Sequence, residues 1–277
     1  MARQPKGRLI NGILILDKPT GMSSNHALQR VKRMFGARKA GHTGSLDPLA
    51  TGLLPICLGE ATKFSQFLLD ADKRYQTTAQ LGVRTDSSDA DGKVVETKPC
   101  EHITVTDVEA QLPQFRGLIS QVPSMFSALK HQGQPLYKLA RAGKTVAVKP
   151  RQVTIHNLEL LSFKYSQVRM DISCTKGTYI RSIVEDLGLA LDCGAHVAQL
   201  RRLQAGPFVA EQMVTLEHLQ GIIDEATQCQ ALEAGQCPEI TPAFSKLDQL
   251  LIPADHAVLS LNAVQLPTHK INALQQG

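Results

Sequence analysis

Strand-like and helix-like periodicities follow one another irregularly along this chain, and that order limits its fold more than any other feature. Tyr75, Thr77, Ala79 and Leu81 recur at the two-residue period of a half-buried strand, as do Val168, Met170, Ile172 and Cys174. Leu9 to Leu16 is an apolar run of strand length that stops at the turn signal Asp17-Lys18-Pro19-Thr20-Gly21. Helical spacing appears at Leu28, Val31 and Phe35, after a cap at Ser23 or Ser24 and before the stop at Gly36. It returns at Ala61, Phe64, Phe67 and Leu68, and again at Ile180, Ile183, Val184 and Leu187 just after Gly177-Thr178-Tyr179. Asp86 to Gly92 reads as a turn. No regular strand–helix–strand alternation emerges, which predicts an α+β domain around a mixed sheet rather than a doubly wound parallel one.

The chain is long enough, at 277 residues, to bury a substantial core, and 43% apolar with 20% charged residues is the balance of a globular protein. No apolar run reaches the length of a membrane span, and Met1 to Arg8 lacks a signal-peptide core, so a cytosolic protein is expected. The six cysteines form no C-x-x-C pair, which argues against structural zinc and a disulfide framework. Charge is unevenly spread. Residues 1–50 carry nine Lys/Arg against Asp17 and Asp47, and residues 116–151 carry seven with no acid, leaving the remainder net negative. Two basic segments on an acidic body suit a polyanion such as nucleic acid. From about 120 to 151 the chain is basic and contains Gly and Pro, with Phe126 and Tyr137 interleaved, which suggests an insertion that closes over a ligand. A short new segment opens at Leu251-Ile252-Pro253, with too few residues after it for an independent core.

The stretch most unusual in chemistry is Gly41-His42-Thr43-Gly44-Ser45-Leu46-Asp47-Pro48-Leu49-Ala50-Thr51-Gly52. Three glycines and a proline fix a tight backbone path that would hold Asp47 at a surface. Taken alone, Asp47 before Pro48 is an ordinary turn residue and His42 an ordinary structural histidine. There is no phosphate-binding G-x-x-x-x-G-K-[ST] and no G-x-S-x-G. The calcium-loop likeness of residues 86–92 fails, because Lys98 falls where a bidentate Glu is required.

Several blocks, in order, do carry a resemblance. They are Asp17-Lys18-Pro19-x-Gly21-x-x-Ser24, Gly41-His42-x-Gly44-x-Leu46-Asp47-Pro48-x-Ala50-x-Gly52, and Lys73-x-Tyr75. Next come Thr85-Asp86-x-x-Asp89-x-x-Gly92, Ser127-Ala128-x-Lys130-x-x-Gly133-x-x-x-Tyr137-x-x-Ala140-Arg141-x-Gly143, Lys176-Gly177-Thr178-Tyr179-Ile180-Arg181, and Ala195-His196-Val197-x-x-Leu200-Arg201-Arg202. Through them residues 9–250 resemble the TruB family of bacterial tRNA pseudouridine-55 synthases.

The resemblance implies an α+β pseudouridine-synthase catalytic fold over residues 1–250, with a thumb-like insertion near 120–151. Residues 251–277 are then expected as a shortened remnant of the family's C-terminal PUA-type RNA-binding domain. It also implies isomerisation of a flipped-out uridine in the tRNA T-arm, with Asp47 as nucleophile and Arg181 as its counter-charge. Tyr75 would stack on the uracil and assist proton transfer, Tyr179 and Leu200 would line its pocket, and His42 would occupy the space the base leaves. Lys18, Arg30, Lys32, Arg33, Lys130, Arg141 and Lys144 are expected at phosphates, which orient RNA without identifying it. Neither a metal nor an organic cofactor is implied, the partner is tRNA rather than a membrane, and a monomer is expected. Phe126 departs from the Tyr of many relatives. Two other readings share these residues: a tRNA-binding or tRNA-folding chaperone that survives loss of Asp47, and a glycosidase or nucleosidase. The second normally needs another carboxylate facing Asp47, which the Gly41–Gly52 block lacks.

Overall fold

The computed structural model describes residues 7–127, 129–144, 146–233, 241–259, 261–262, 264–267 and 270. The chain begins with β1 (Gly12–Lys18), α1 (Ser24–Met34), β2 (Ala40–His42), β3 (Thr51–Leu58), α2 (Ser65–Asp70) and β4 (Lys73–Leu81). A hairpin of β5 (Val83–Thr85) and β6 (Val94–Thr97) follows, then α3 (Val105–Gln111) and β7 (Gly117–Gln121). Next are the small hairpin β8 (Lys130–His131) and β9 (Gln134–Pro135), α4 (Leu136–Arg141), and the long strands β10 (Arg151–Lys164) and β11 (Gln167–Cys174). The last elements are α5 (Ile180–Ala190), β12 (Ala195–Ala205), β13 (Phe208–Val209), α6 (Leu216–Glu233) and α7 (Thr241–Asp248).

One sheet organises the described residues, in the order β1-β3-β12-β4-β11-β10-β7, with β2 on β3 and β13 on β12. Its pairs are antiparallel except β12 with β3, which meet in parallel at Arg201↔Thr51 and Arg202↔Gly52. The sheet is therefore mixed, as the irregular periodicities require. Strand alternation sorts the apolar residues onto two faces. Leu14, Leu16, Leu54, Ile56, Ala79, Met170 and Ile172 join Val31 of α1, Phe35 just past its end, and Ile183, Val184 and Leu187 of α5 in the larger core. Ile13, Ile15, Leu53 and Cys57 face the other way, against Leu68, Phe208 and Ala257. Burying one Leu or Ile side chain contributes roughly 1.5–3 kcal/mol, so both faces of β1 and β3 hold this end of the sheet rigid.

The alternating strands lie where their periodicity places them, in β4 and β11. Elsewhere boundaries move. The first strand begins at Gly12 and runs through Lys18, and Leu9 is left outside it, 84% exposed. Ser23 caps α1 by accepting from the His26 N–H, and Gly36 follows its end at φ +57°. The helix expected around Ala61–Leu68 is a 3₁₀ turn over Gly59–Phe64 that continues into α2, leaving Phe67 exposed. The basic stretch near 120–151 leaves the sheet at Gln121 and returns at Arg151, and these two residues are direct partners in the β7–β10 pair. The β8–β9 hairpin and α4 are thus an excursion from two adjacent strands. Just past residue 250, Ile252 exchanges two backbone hydrogen bonds with Ile13 at 2.8 and 2.9 Å, adding the chain to the free edge of β1. Among the described residues no helix is long and apolar enough to cross a membrane, and no cluster of His, Cys, Asp or Glu could hold a metal ion.

Candidate active site

Asp47 stands on the loop between β2 and β3, and that loop is fastened at several points. Ser24 Oγ accepts from the Leu46 N–H at 2.7 Å and donates to the Leu46 carbonyl at 3.0 Å, clamping the residue before Asp47 to α1. The Pro48 carbonyl accepts from the Gly21 N–H, and the Asp47 carbonyl accepts from Ala50. Beneath the loop lies Lys18, fully buried, its ammonium donating to the carbonyls of Pro19 at 2.8 Å, Met22 at 2.6 Å and Pro48 at 3.4 Å. Lys18 is therefore not offered to a phosphate at the surface: its chain faces the inner side of β1, and its charge supports the Asp47 loop from within. Burial brings its pKa down to about 8, against the opposing pull of Asp47.

Arg181 reaches Asp47 from the first turn of α5. Its Nη2 lies 3.0 Å from Asp47 Oδ2, its Nη1 3.3 Å from Asp89 Oδ2, and its side chain is 6% exposed. It also donates to the Ser87 carbonyl at 2.9 Å and the Phe126 carbonyl at 3.1 Å. A helix-surface arginine would do none of this. Asp89 is itself locked, with Oδ1 accepting from Ser87 Oγ at 2.5 Å and from the Asp91 N–H. Asp89 is the participant that reading the turn at 86–92 missed, although it stands inside one of the family blocks. Its spacing looked like a failed calcium loop, whereas its burial at 5% exposure reveals a partner for a buried cation.

The Asp47 carboxyl remains reachable by solvent, at 43% side-chain exposure, while protein surrounds it on most sides. Burial raises its pKa above the ordinary carboxylate value, Arg181 and Lys18 pull it down, and Asp89 and Asp91 push it up. Among the groups that favour its charged form, Arg181 is the strongest, ahead of Lys18.

Tyr75, half-buried on the inner face of β4, is paired across the ladder with Arg202 of β12. Burial raises the pKa of its hydroxyl, while the adjacent Arg202 guanidinium pulls it down. Tyr179 sits at the entry to α5, where the side-chain amide of Gln121 both donates to its carbonyl at 3.2 Å and accepts from its N–H at 3.0 Å. Burial raises the Tyr179 hydroxyl too, with Ser127, Arg151 and Arg181 opposing. Leu200 is 9% exposed on β12, beside Thr77 of β4 and on the same face as Tyr75. His42 ends β2, half-buried, its Nδ1 buried without a partner among the described residues. Burial and Arg202 both lower its pKa, which favours the neutral ring. The structure thus brings Asp47 and Arg181 into contact, puts Tyr75 and Leu200 on one face of neighbouring strands, and places His42 and Tyr179 on the segments that lead into the Asp47 loop and α5. Lys130 falls in β8 and Arg141 at the end of α4, within the excursion, and their side chains lie outside the described residues.

Comparison with known proteins identifies the family. Residues 32–180 match the family model described as TruB family pseudouridylate synthase, N-terminal domain, and residues 181–259 match the tRNA pseudouridylate synthase B C-terminal domain. The chain is 53% identical over its whole length to a tRNA pseudouridine synthase B of Vibrio cholerae serotype O1 (strain M66-2), covering 85% of that protein. It is 54% identical to the same-named protein of Shewanella denitrificans, covering 84% of it. Among solved structures it resembles one from a Cbf5-Nop10-Gar1 complex, with a TM-score of 0.69 and 28% identity over 96% of this chain and 67% of that one. A chain of the archaeal box H/ACA sRNP Nop10-Cbf5 complex gives 0.67 at 26% identity, over 97% of this chain and 68% of that one.

The family models and the relatives show a pseudouridylate synthase. Within that class the chain belongs to the TruB family.

Proposed function

We propose that this enzyme converts uridine to pseudouridine in tRNA, at position 55 of the T-arm, with Asp47 as nucleophile. The reaction breaks the C1′–N1 bond, turns the uracil in its pocket and rejoins it through C5, which gives up its proton. It needs no oxidant and no external energy source. Every route open to a carboxylate, whether attack on the sugar, attack on the base or removal of a sugar proton, begins with ionised Asp47. Arg181 keeps that form available in a site that excludes water once RNA is bound. The carrying observation is the fork of Arg181, which engages a single oxygen of Asp47 at 3.0 Å while Asp89 and two carbonyls hold it in place.

Other roles follow from placement. A flipped uracil between Tyr75, Tyr179 and Leu200 would be confined while it turns, which is how a detached base is kept for rejoining. His42, neutral and at the rim of the same loop, suits stacking in the gap the base leaves. Lys130 and Arg141 of the excursion, with the basic residues of α1, would meet phosphates, and the folded T-arm would be selected by shape.

The test uses unmodified tRNA carrying tritium at uridine C5. The reading predicts tritium release by the protein and pseudouridine at the T-arm site when the product is mapped. Tight tRNA binding without release would replace it with the chaperone reading, and release of free uracil would replace it with a glycosidase.

A further inference from the structure

Arg202 is the bulkiest fully buried side chain among the described residues, at 1% exposure, and no carboxylate pairs with it there. Its Nε donates to the Leu53 carbonyl at 2.6 Å and its Nη2 to the Gly44 carbonyl at 2.9 Å. Gly44 begins the turn that presents Asp47, at φ +69°, and a Cβ there would stand 3.2 Å from Arg202 Nη1. On the other side Gly52, at φ +95°, passes so close that its Cβ would fall 2.3 Å from the Arg202 carbonyl oxygen. Gly44 of the Asp47 loop and Gly52 of β3 are thus shaped around one residue. That residue is also the ladder partner of Tyr75, on the same face. A guanidinium that serves only as core filling would be a costly choice, since burying a charge without a counter-ion opposes folding.

We propose that Arg202 is a positioning residue, whose guanidinium holds the Gly44 turn and the Tyr75 hydroxyl in fixed relation so that Asp47 and Tyr75 meet the same nucleotide. This rests on the roles of Asp47 and Tyr75 given above. Arg202 touches neither sugar nor base. It acts on the backbone that carries the nucleophile and on the hydroxyl beside it, and the influence of its charge on both Tyr75 and His42 follows from that central location.

The test compares Arg202→Gln and Arg202→Lys in the full chain, with turnover of unmodified tRNA and a direct probe of Tyr75. The protein is labelled with 3-fluorotyrosine, whose acidified hydroxyl titrates in an accessible range, and the Tyr75 signal among four is assigned by its loss in Tyr75→Phe. Misplacing reacting groups slightly costs on the order of 100-fold, so kcat of Arg202→Gln should fall by about that much with KM held within a few-fold. The Tyr75 fluorine signal should titrate at higher pH than in the wild type, and by a smaller margin in Arg202→Lys, which keeps the charge but loses the fork. Wild-type kcat, or an unmoved Tyr75 titration in a folded variant, overturns the proposal. If Arg202→Gln does not fold, Arg202→Lys decides. A folded Lys variant with reduced kcat and retained KM supports positioning, whereas wild-type kcat or failure to fold reduces Arg202 to a core fastening. The fluorine measurement does not depend on catalysis, so an active Asp47→Asn variant would sink the nucleophile assignment separately.

Discussion

Asp17 and Asp47 each face an arginine near the start of β3, on opposite sides of the same sheet. In the first pair, Arg201 donates Nη1 to Asp17 Oδ1 at 2.9 Å and Nη2 to Oδ2 at 2.7 Å, consuming both carboxylate oxygens. In the second, Arg181 takes one oxygen of Asp47 and also engages Asp89, Ser87 and Phe126 through its two Nη atoms. The exposures are reversed as well. Arg201 is 40% exposed over a 23% exposed Asp17, whereas Arg181 is 6% exposed beneath a 43% exposed Asp47. A pair that saturates itself is a fastening. A carboxylate left partly unsatisfied, over an arginine held by three other groups, is free to meet a further partner. Sequence neighbours cannot reveal this difference, because both pairs are long-range.

The contrast can be broken by experiment. Arg181→Lys keeps the charge but cannot bridge two carboxylates and two carbonyls, so kcat should fall by about 10³-fold in steady-state assays. A rate within a few-fold of wild type would remove Arg181 from its role. Reversing charge at Lys130 and Arg141 together should weaken tRNA binding by roughly 10–100-fold at moderate salt and flatten its salt dependence by about two phosphate contacts. An unchanged slope in a salt titration would take the excursion off the RNA. Asp17→Asn is expected to lower stability by about 1 kcal/mol, given the partial exposure of its pair, with kcat within roughly threefold of wild type. A large loss of kcat in a chemically melted and refolded control would make the two pairs alike.

The smallest effect concerns pH. Burial raises the pKa of Asp47 above its value in an unfolded chain, so the folded protein binds that proton more tightly. Ionised Asp47 therefore costs stability above its folded pKa, and the cost disappears as pH falls through that value toward the unfolded one. Asp47→Asn should melt roughly 2 °C higher than wild type at neutral pH, with the gain vanishing in acid. A lower melting temperature at neutral pH would mean that the Arg181 pairing outweighs the burial of Asp47.

Much of this molecule was legible in the chain. The alternations at Tyr75–Leu81 and Val168–Cys174 gave two central strands because one face of each is buried, and the 120–151 excursion showed itself through charge. Asp47 was visible only by resemblance, since an aspartate before proline in a glycine-rich loop looks like any turn. Lys18 was misplaced for a physical reason. A lysine at the end of a strand reads as surface, yet here three carbonyls replace its water. Asp89 and Arg202 went unread because the parallel join of β3 with β12, and the reach of Arg181 to the 86–92 turn, depend on tertiary pairing that no local period encodes.

The central claim is that Asp47, and not merely a folded RNA site, performs the chemistry. Single-turnover tritium release from C5-labelled tRNA, with Asp47→Asn at saturating enzyme, tests it most directly. The account predicts a rate at least about 10⁴-fold below wild type, with tRNA affinity retained within about tenfold. Release at a rate near that of wild type, or an affinity that collapses with the rate, would contradict it.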